Sequence, residues 1–345
     1  MKAPRPSALA SAPTPASGSA LAGKPAKDCG CSGTRWCAGC LAPDLRRAHG
    51  MDPPTELPAF LRERPEERRS CLDPDLDPDP RVRIASFDPT SQSCPGCPDF
   101  DGVHVFEDLV TPTEADRLLE AIEKQSFRPA QSGKQKQHFG ARVNFNKRKV
   151  RAEGFEGLPA WAGWLEARTR MRLAPLARGA VVSDAEGVGG DGTRRRSRQP
   201  FPPSPALMRA MTAYRTTDVF VLRYREQDRS NLDFHIDDTF AYGEAILALS
   251  LESDSVMTFL RERPGLRARP GEVPGWDCVR VALPARSLSI LYGPARFEWQ
   301  HAILAYDIRG RRTSVTLRTL SAELRGTPAG RLIESVPRRA ERPGA

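Results

Sequence analysis

Ala245-Ile246-Leu247-Ala248-Leu249-Ser250-Leu251-Glu252-Ser253-Asp254-Ser255-Val256-Met257-Thr258-Phe259-Leu260 is the most apolar stretch of the chain, and the way it is interrupted decides the fold class. Glu252, Asp254 and the serines beside them break it short of the roughly 18 continuous apolar residues that a membrane span needs. A span is therefore excluded, and two runs of strand length remain, Ala245–Leu251 and Val256–Leu260. Similar runs lie on either side: Arg142–Asn146, Val219–Tyr224, Cys278–Leu283, Ser287–Tyr292 and Thr313–Arg318. Many short strands with polar breaks between them predict mainly antiparallel β structure.

Regular structure is expected to begin at Val103-His104-Val105-Phe106, a strand. Thr111-Pro112-Thr113-Glu114 then combines an N-cap, a proline in the first turn and a capping-box glutamate. Behind that start, Ala115, Leu118, Leu119 and Ile122 fall at i, i+3, i+4 and i+7, an apolar stripe that must pack on something flat. A second helix is expected between Trp161 and Leu176, opened by Pro159. Helices followed by many strands predict an α+β fold, with helices backing a two-sheet sandwich or barrel of the jelly-roll kind.

The ends of the 345-residue chain read differently. Prolines, 32 in all, crowd the first hundred positions, and Leu72-Asp73-Pro74-Asp75-Leu76-Asp77-Pro78-Asp79-Pro80 has too few apolar groups to offset its ordering entropy. Residues 1–98 are accordingly expected to be a largely disordered N-terminal region, 99–325 the folded domain, and 326–345 a C-terminal tail. A flexible Gly-, Arg- and Pro-rich insertion is expected at about 178–205. Met1–Lys27 contains no Asp or Glu and carries four basic residues, compatible with organelle targeting. The expected location is otherwise cytoplasmic or nuclear.

Formal net charge is +9, from 52 Lys and Arg against 43 Asp and Glu, which favours acidic partners without choosing between protein and nucleic acid. Lys134, Lys136, Lys147, Arg148 and Lys149 suggest a basic rim. Stacking aromatics are sparse among them, which argues against a dedicated single-strand groove. Seven of the eight cysteines precede residue 100, a clustering that suggests metal or a reducing compartment. Cys29, Cys31, Cys37 and Cys40 are candidates for a small zinc site, which Cys94 and Cys97 could complete or compete for.

The chemistry concentrates in Phe234-His235-Ile236-Asp237-Asp238. His235 and Asp237, two apart at a strand end, point to the same side, and His301 supplies a third donor. Two imidazoles and one carboxylate form a facial triad suited to non-haem Fe(II) with open coordination positions. Eleven residues beyond His301, Arg312 and Arg318 share one face of a strand whose other face carries Val315 and Leu317. A buried arginine is costly unless an anion satisfies it, and a carboxylate is its best-matched partner. A dicarboxylate cosubstrate would meet that need.

Together, His235-x-Asp237, His301 and Arg312-x5-Arg318 resemble the signature of the AlkB family of Fe(II)/2-oxoglutarate dioxygenases. Several further stretches resemble its AlkB homologue 4 subfamily. They are Gln131-Ser132-Gly133-Lys134-Gln135-Lys136-Gln137, Val143-Asn144-Phe145, Leu283-Pro284-x-Arg286-Ser287-Leu288, Thr316–Ser321 and the N-terminal Cys29–Cys37 motif. The resemblance implies a double-stranded β-helix core, with Fe(II) on His235, Asp237 and His301, and with O2 and 2-oxoglutarate as cosubstrates. It assigns Arg312 to the distal carboxylate of 2-oxoglutarate, Arg318 to its metal-bound end and Tyr224 to a further contact. Leu222 stands where other members have an asparagine. The implied reaction is oxidative N-demethylation with release of formaldehyde. The implied substrates are methyl-lysine on a protein such as actin, with actomyosin as the regulated system, and N6-methyladenine in DNA. Asp238, Phe240, Tyr242 and Trp299 are candidate substrate-pocket residues, with a plain core role as the alternative for the three aromatics and a place behind the metal ligand as the alternative for Asp238. A non-catalytic adaptor on a jelly-roll scaffold is the competing function, and a zinc hydrolase the third. Neither needs the two arginines.

Overall fold

The computed structural model describes residues 82–144, 149–151, 155, 157–177, 203–263 and 275–335. In chain order its elements begin with β1 (Val82–Ser86), β2 (Val103–Phe106), α1 (Pro112–Glu123), β3 (Arg128–Pro129), β4 (Gln135–Phe139), β5 (Arg142–Asn144) and β6 (Lys149–Arg151). Next come α2 (Ala160–Ala177), α3 (Pro205–Thr212), β7 (Asp218–Arg225), β8 (Leu232–His235), β9 (Tyr242–Leu251), β10 (Ser255–Glu262) and β11 (Trp276–Leu283). The chain continues through β12 (Leu288–Leu291), α4 (Gly293–Phe297), β13 (Gln300–Ile303), β14 (Arg311–Leu320), α5 (Ala322–Arg325) and α6 (Pro328–Ser335).

The strands from β7 to β14 divide between two sheets, one ordered β1-β11-β10-β13-β8 and the other β2-β12-β9-β14-β7-β4-β3. The chain therefore alternates between layers, with β7, β9, β12 and β14 in one and β8, β10, β11 and β13 in the other. This is the double-stranded β-helix expected from the sequence. The larger sheet is buried on both faces, which is why β9 reads as a near-continuous apolar run. Leu247, Leu249 and Leu251 join Val315 and Leu317 under Leu118, Ile122, Leu165 and Leu207 of α1, α2 and α3. On the opposite face Ile246, Tyr224 and Leu291 meet Phe259, Val279 and Val281 of the smaller sheet.

The start of α1 is as its sequence predicts. Thr111 Oγ1 accepts from the Glu114 amide (3.2 Å) and the Glu114 carboxylate accepts from the Thr111 amide (2.8 Å). A shorter helix not foreseen in the sequence, α3, is capped by Ser204, whose hydroxyl accepts from the Leu207 amide (3.1 Å).

Two expected boundaries move. The folded part takes in residues before 99, because β1 adds to the smaller sheet beside β11 in parallel, pinned by Arg83 donating to Asp277 (2.9 Å). A five-residue strand with a single apolar stripe, next to an acidic proline-rich segment, carries too little local pattern to stand out. Cys94 and Cys97 pack as buried free thiols in the core between the sheets, not in a tail. Burial pushes the Cys94 thiol up to about 11, as expected of an apolar site. At the other end α6 falls within the expected tail, and Ile333 packs against Phe240, Tyr242 and Leu324. Cys29, Cys31, Cys37, Cys40, Lys147, Arg148 and positions 178–202 of the expected insertion lie outside the described residues. Among the described residues no helix is long and apolar enough to cross a membrane.

Candidate metal centre

His235 ends β8, and His301 lies directly opposite it on β13 in the antiparallel register. Their rings sit 4.4 Å apart, centroid to centroid. Asp237, two residues past His235, folds back so that its Oδ2 lies 3.6 Å from His301 Nε2. Ligand atoms of all three residues lie within 4.8 Å of one another, and this is the only such group of three or more His, Cys, Asp or Glu among the described residues.

The protonation states suit metal binding. His235 Nδ1 is 2.8 Å from the Asp233 carbonyl, which can only accept, so Nδ1 is the donor there and Nε2 is the ring nitrogen left for a metal. Burial, reinforced by the neighbouring His235, lowers His301 to about 3 and keeps its imidazole neutral. Burial alone would raise Asp237. The Arg318 guanidinium, followed by His235, His301 and Arg296, outweighs burial and holds the carboxyl well below its usual range. Two imidazoles and a carboxylate are the donor set that Fe(II) takes in a facial triad.

Arg312 and Arg318 both come from β14. Arg312 is 1% exposed. Its Nη2 donates to Ser250 Oγ (2.9 Å), and its guanidinium lies 5.1 Å from the ring centroid of Tyr224, its cross-strand neighbour. Nε and Nη1 of Arg312 are buried without a hydrogen bond of good geometry, and the polar group that interacts with the guanidinium besides Ser250 is the Tyr224 hydroxyl. A guanidinium held dry with donors unspent is strongly unfavourable unless an anion fills the place. A carboxylate on a small bound molecule fits. Arg318 makes a different set of contacts, with Nη2 on Asp237 Oδ1 (2.8 Å) and Nη1 on Asp218 Oδ1 (3.3 Å), above the Tyr242 ring at 4.7 Å.

Arg296 of α4 is a residue that sequence reasoning missed. It is 2% exposed and donates to four main-chain carbonyls, those of Asp237 (2.8 Å), Asp238 (3.0 Å), Tyr242 (3.2 Å) and Gly243 (3.2 Å). The turn that carries Asp237 is thus folded around one side chain. A single arginine in Gly293-Pro294-Ala295-Arg296-Phe297 has no periodic partner, and only its five-residue spacing from His301 hints at a role.

The expected pocket residues separate. Asp238 accepts from the Ala241 amide (2.7 Å) and so shapes the same turn. Phe240 and Tyr242 are buried in a small cluster with Ala141 and Leu320, against which Val143 and Val150 of the β5–β6 hairpin pack. Trp299 is fully buried, edge-on to Phe100 at 5.0 Å and under Arg261 at 4.4 Å. It has no surface left to line a pocket and packs as core. The basic rim also changes composition. Lys134 is buried and its ammonium donates to the Asn231 carbonyl. On the hairpin, Arg142, Lys149 and Arg151 are exposed and border a concave surface with Val143 and Asn144.

No protein-family model matches the chain. It is similar to alpha-ketoglutarate-dependent dioxygenase alkB homolog 4 of Homo sapiens, 32% identical over 324 residues covering 88% of this chain and 89% of that protein. The protein of that name from Mus musculus is 27% identical, covering 86% of this chain and 88% of its own length. A Caenorhabditis elegans protein named DNA N6-methyl adenine demethylase is 25% identical, covering 84% and 86%.

Proposed function

We propose, for a chain that belongs to the AlkB homolog 4 family of alpha-ketoglutarate-dependent dioxygenases, an oxidative N-demethylation of methyl-lysine on an acidic, actin-like protein. N6-methyladenine in DNA is the second substrate class. The enzyme class follows from family membership. The substrate is our own reading, and it is supported by the exposed Arg142, Lys149 and Arg151 beside the turn that bears Asp237. The observation that carries the dioxygenase chemistry is the pairing of one His-Asp-His cluster with one dry, incompletely bonded Arg312 in the same core.

His235, Asp237 and His301 would hold Fe(II). Arg312, with Ser250 and Tyr224, would bind the distal carboxylate of 2-oxoglutarate. With both bound, the centre supplies the oxidising power to hydroxylate an N-methyl carbon at the expense of O2. The overall balance converts 2-oxoglutarate and O2 to succinate and CO2, and the N-hydroxymethyl product breaks down to the free amine and formaldehyde. No general base is required of the protein. Its residues position the substrate methyl group and keep water from the reacting atoms. Arg318 and Arg296 fix Asp237 from its side chain and its main chain respectively.

The test supplies Fe(II), ascorbate and 2-oxoglutarate with a monomethyl-lysine actin peptide in one arm and a methyladenine oligonucleotide in the other. Formaldehyde and succinate are measured. Formaldehyde from the peptide at a higher kcat/KM supports the protein substrate, and the reverse ranking overturns it. Turnover that survives His301→Ala refutes the metal assignment.

A further inference from the structure

We infer that Asp218 is a positioning residue for the iron ligand Asp237, acting through Arg318; this rests on the iron centre proposed above. Asp218 and Arg318 are directly opposite each other in the β7–β14 ladder, so the backbone sets their pairing. Asp218 is 4% exposed, and its two oxygens are committed in different directions. Oδ1 takes Arg318 Nη1 at 3.3 Å, and Oδ2 lies 2.5 Å from His138 Nε2 on β4. Gly140 makes room for this arrangement. A Cβ built there would lie 2.2 Å from Asp218 Oδ2 and 3.0 Å from His138 Nε2.

The consequence falls on Asp237. Arg318 meets Asp237 at Oδ1, and Oδ2 is the oxygen turned toward His301 and a metal ion. A guanidinium prefers to grip a carboxylate with two parallel donors, and Arg318 Nε is buried with no partner. Asp218 holds Nη1 and keeps the guanidinium to a single contact with Asp237. Without that hold, Arg318 can turn a second donor onto Oδ2 and compete directly with the ion. Loss of the Asp218 charge also leaves Arg318 less neutralised beside a site that must accept a divalent cation. Both effects weaken metal binding. Removal of residues that orient a metal ligand typically lowers affinity about 10- to 100-fold, and a loss in that range is expected here.

The experiment measures Mn(II) binding to the full metal-free chain, from the electron paramagnetic resonance signal of free Mn(II), for wild type, Asp218→Asn and Asp218→Glu. Thermal unfolding of each metal-free protein is recorded in parallel. Asn is nearly isosteric and should keep the fold, with weakening of Mn(II) binding in the stated range. Glu restores the charge and should recover most of the loss. Gly140→Ala leaves every charge in place but displaces the Asp218 carboxylate, and it should weaken Mn(II) binding in the same direction. It serves as the measurement should Asp218→Asn fail to fold. Equal Mn(II) affinity in wild type and Asp218→Asn overturns the inference while leaving the iron centre intact. Asp218→Glu as weak as Asp218→Asn overturns it too. A wild-type chain that binds no Mn(II) overturns the iron centre and this inference with it.

Discussion

Replacing Arg296 with Met keeps most of the side-chain volume and removes the guanidinium that holds the 237–243 turn. The wild-type side chain satisfies four buried or half-buried carbonyls, at 2.8 to 3.2 Å. Hydrogen bonds to charged groups contribute about 1.5–3 kcal/mol each, and an abandoned buried acceptor costs about 1–3 kcal/mol. These terms share one side chain and do not add, and relief of the Arg296 desolvation penalty offsets part of them. Burial is the main cause that lowers the pKa of this arginine, so the penalty is real. The net loss is set at about 3–5 kcal/mol, the range for breaking one partner out of a buried charged network. For a domain of this size, each kcal/mol moves Tm by about 2–4 °C, so the metal-free Arg296→Met protein should melt roughly 6–20 °C below wild type. The same protein should bind Mn(II) more weakly, because Asp237 is no longer fixed from its main chain. Differential scanning calorimetry of the metal-free proteins and Mn(II) titration are the assays. A Tm within 2 °C of wild type would refute the claim that Arg296 organises the turn.

Arg312→Leu should separate binding from stability. It removes the partner for the cosubstrate carboxylate and should raise the Kd for 2-oxoglutarate by about 30-fold or more, since a desolvated charge contact is worth about 2–5 kcal/mol. It also removes two buried donors without a hydrogen bond of good geometry, so the metal-free protein should be as stable as wild type or slightly more so; calorimetry and isothermal titration check the pair of outcomes. His104, buried on β2, has its pKa lowered from 6.5 to about 4 by burial. The unfolded chain then binds the proton more readily than the folded one. This histidine costs nothing above pH 6.5 and destabilises progressively as pH falls toward 4, by about 3 kcal/mol in all at about 1.4 kcal/mol per pH unit. Urea unfolding at pH 7.0, 5.5 and 4.5 should show a shallower acid loss in His104→Phe, and an identical loss would show that His104 is not buried as described.

Local chemistry settled much of this protein before any tertiary contact. Thr111 to Glu114 form a helix start because both capping partners lie within one turn. The alternation from Thr313 to Arg318 separates Val315 and Leu317 from the two arginines because a strand's side chains alternate with period two. His235-x-Asp237 is legible as a spacing of two donors, although β8 ends at His235 and Asp237 reaches the site from the turn that follows. What lay beyond the sequence depends on register between distant strands. That His301 meets His235 follows from the pairing of β13 with β8, two four-residue strands whose polar ends carry no strand pattern. Whether Trp299 lines a pocket or fills the core depends on Phe100, 199 positions away, and on Arg261 on the neighbouring strand β10. Arg296 and Asp218 act through carbonyls and carboxylates of other elements, so their residue types and spacings reveal nothing until those elements are packed. Short-range periodicity and spacing were properties of the chain. Convergence of groups tens to hundreds of residues apart was decided by the two-sheet packing, because only the buried ladder brings those backbones within hydrogen-bond reach.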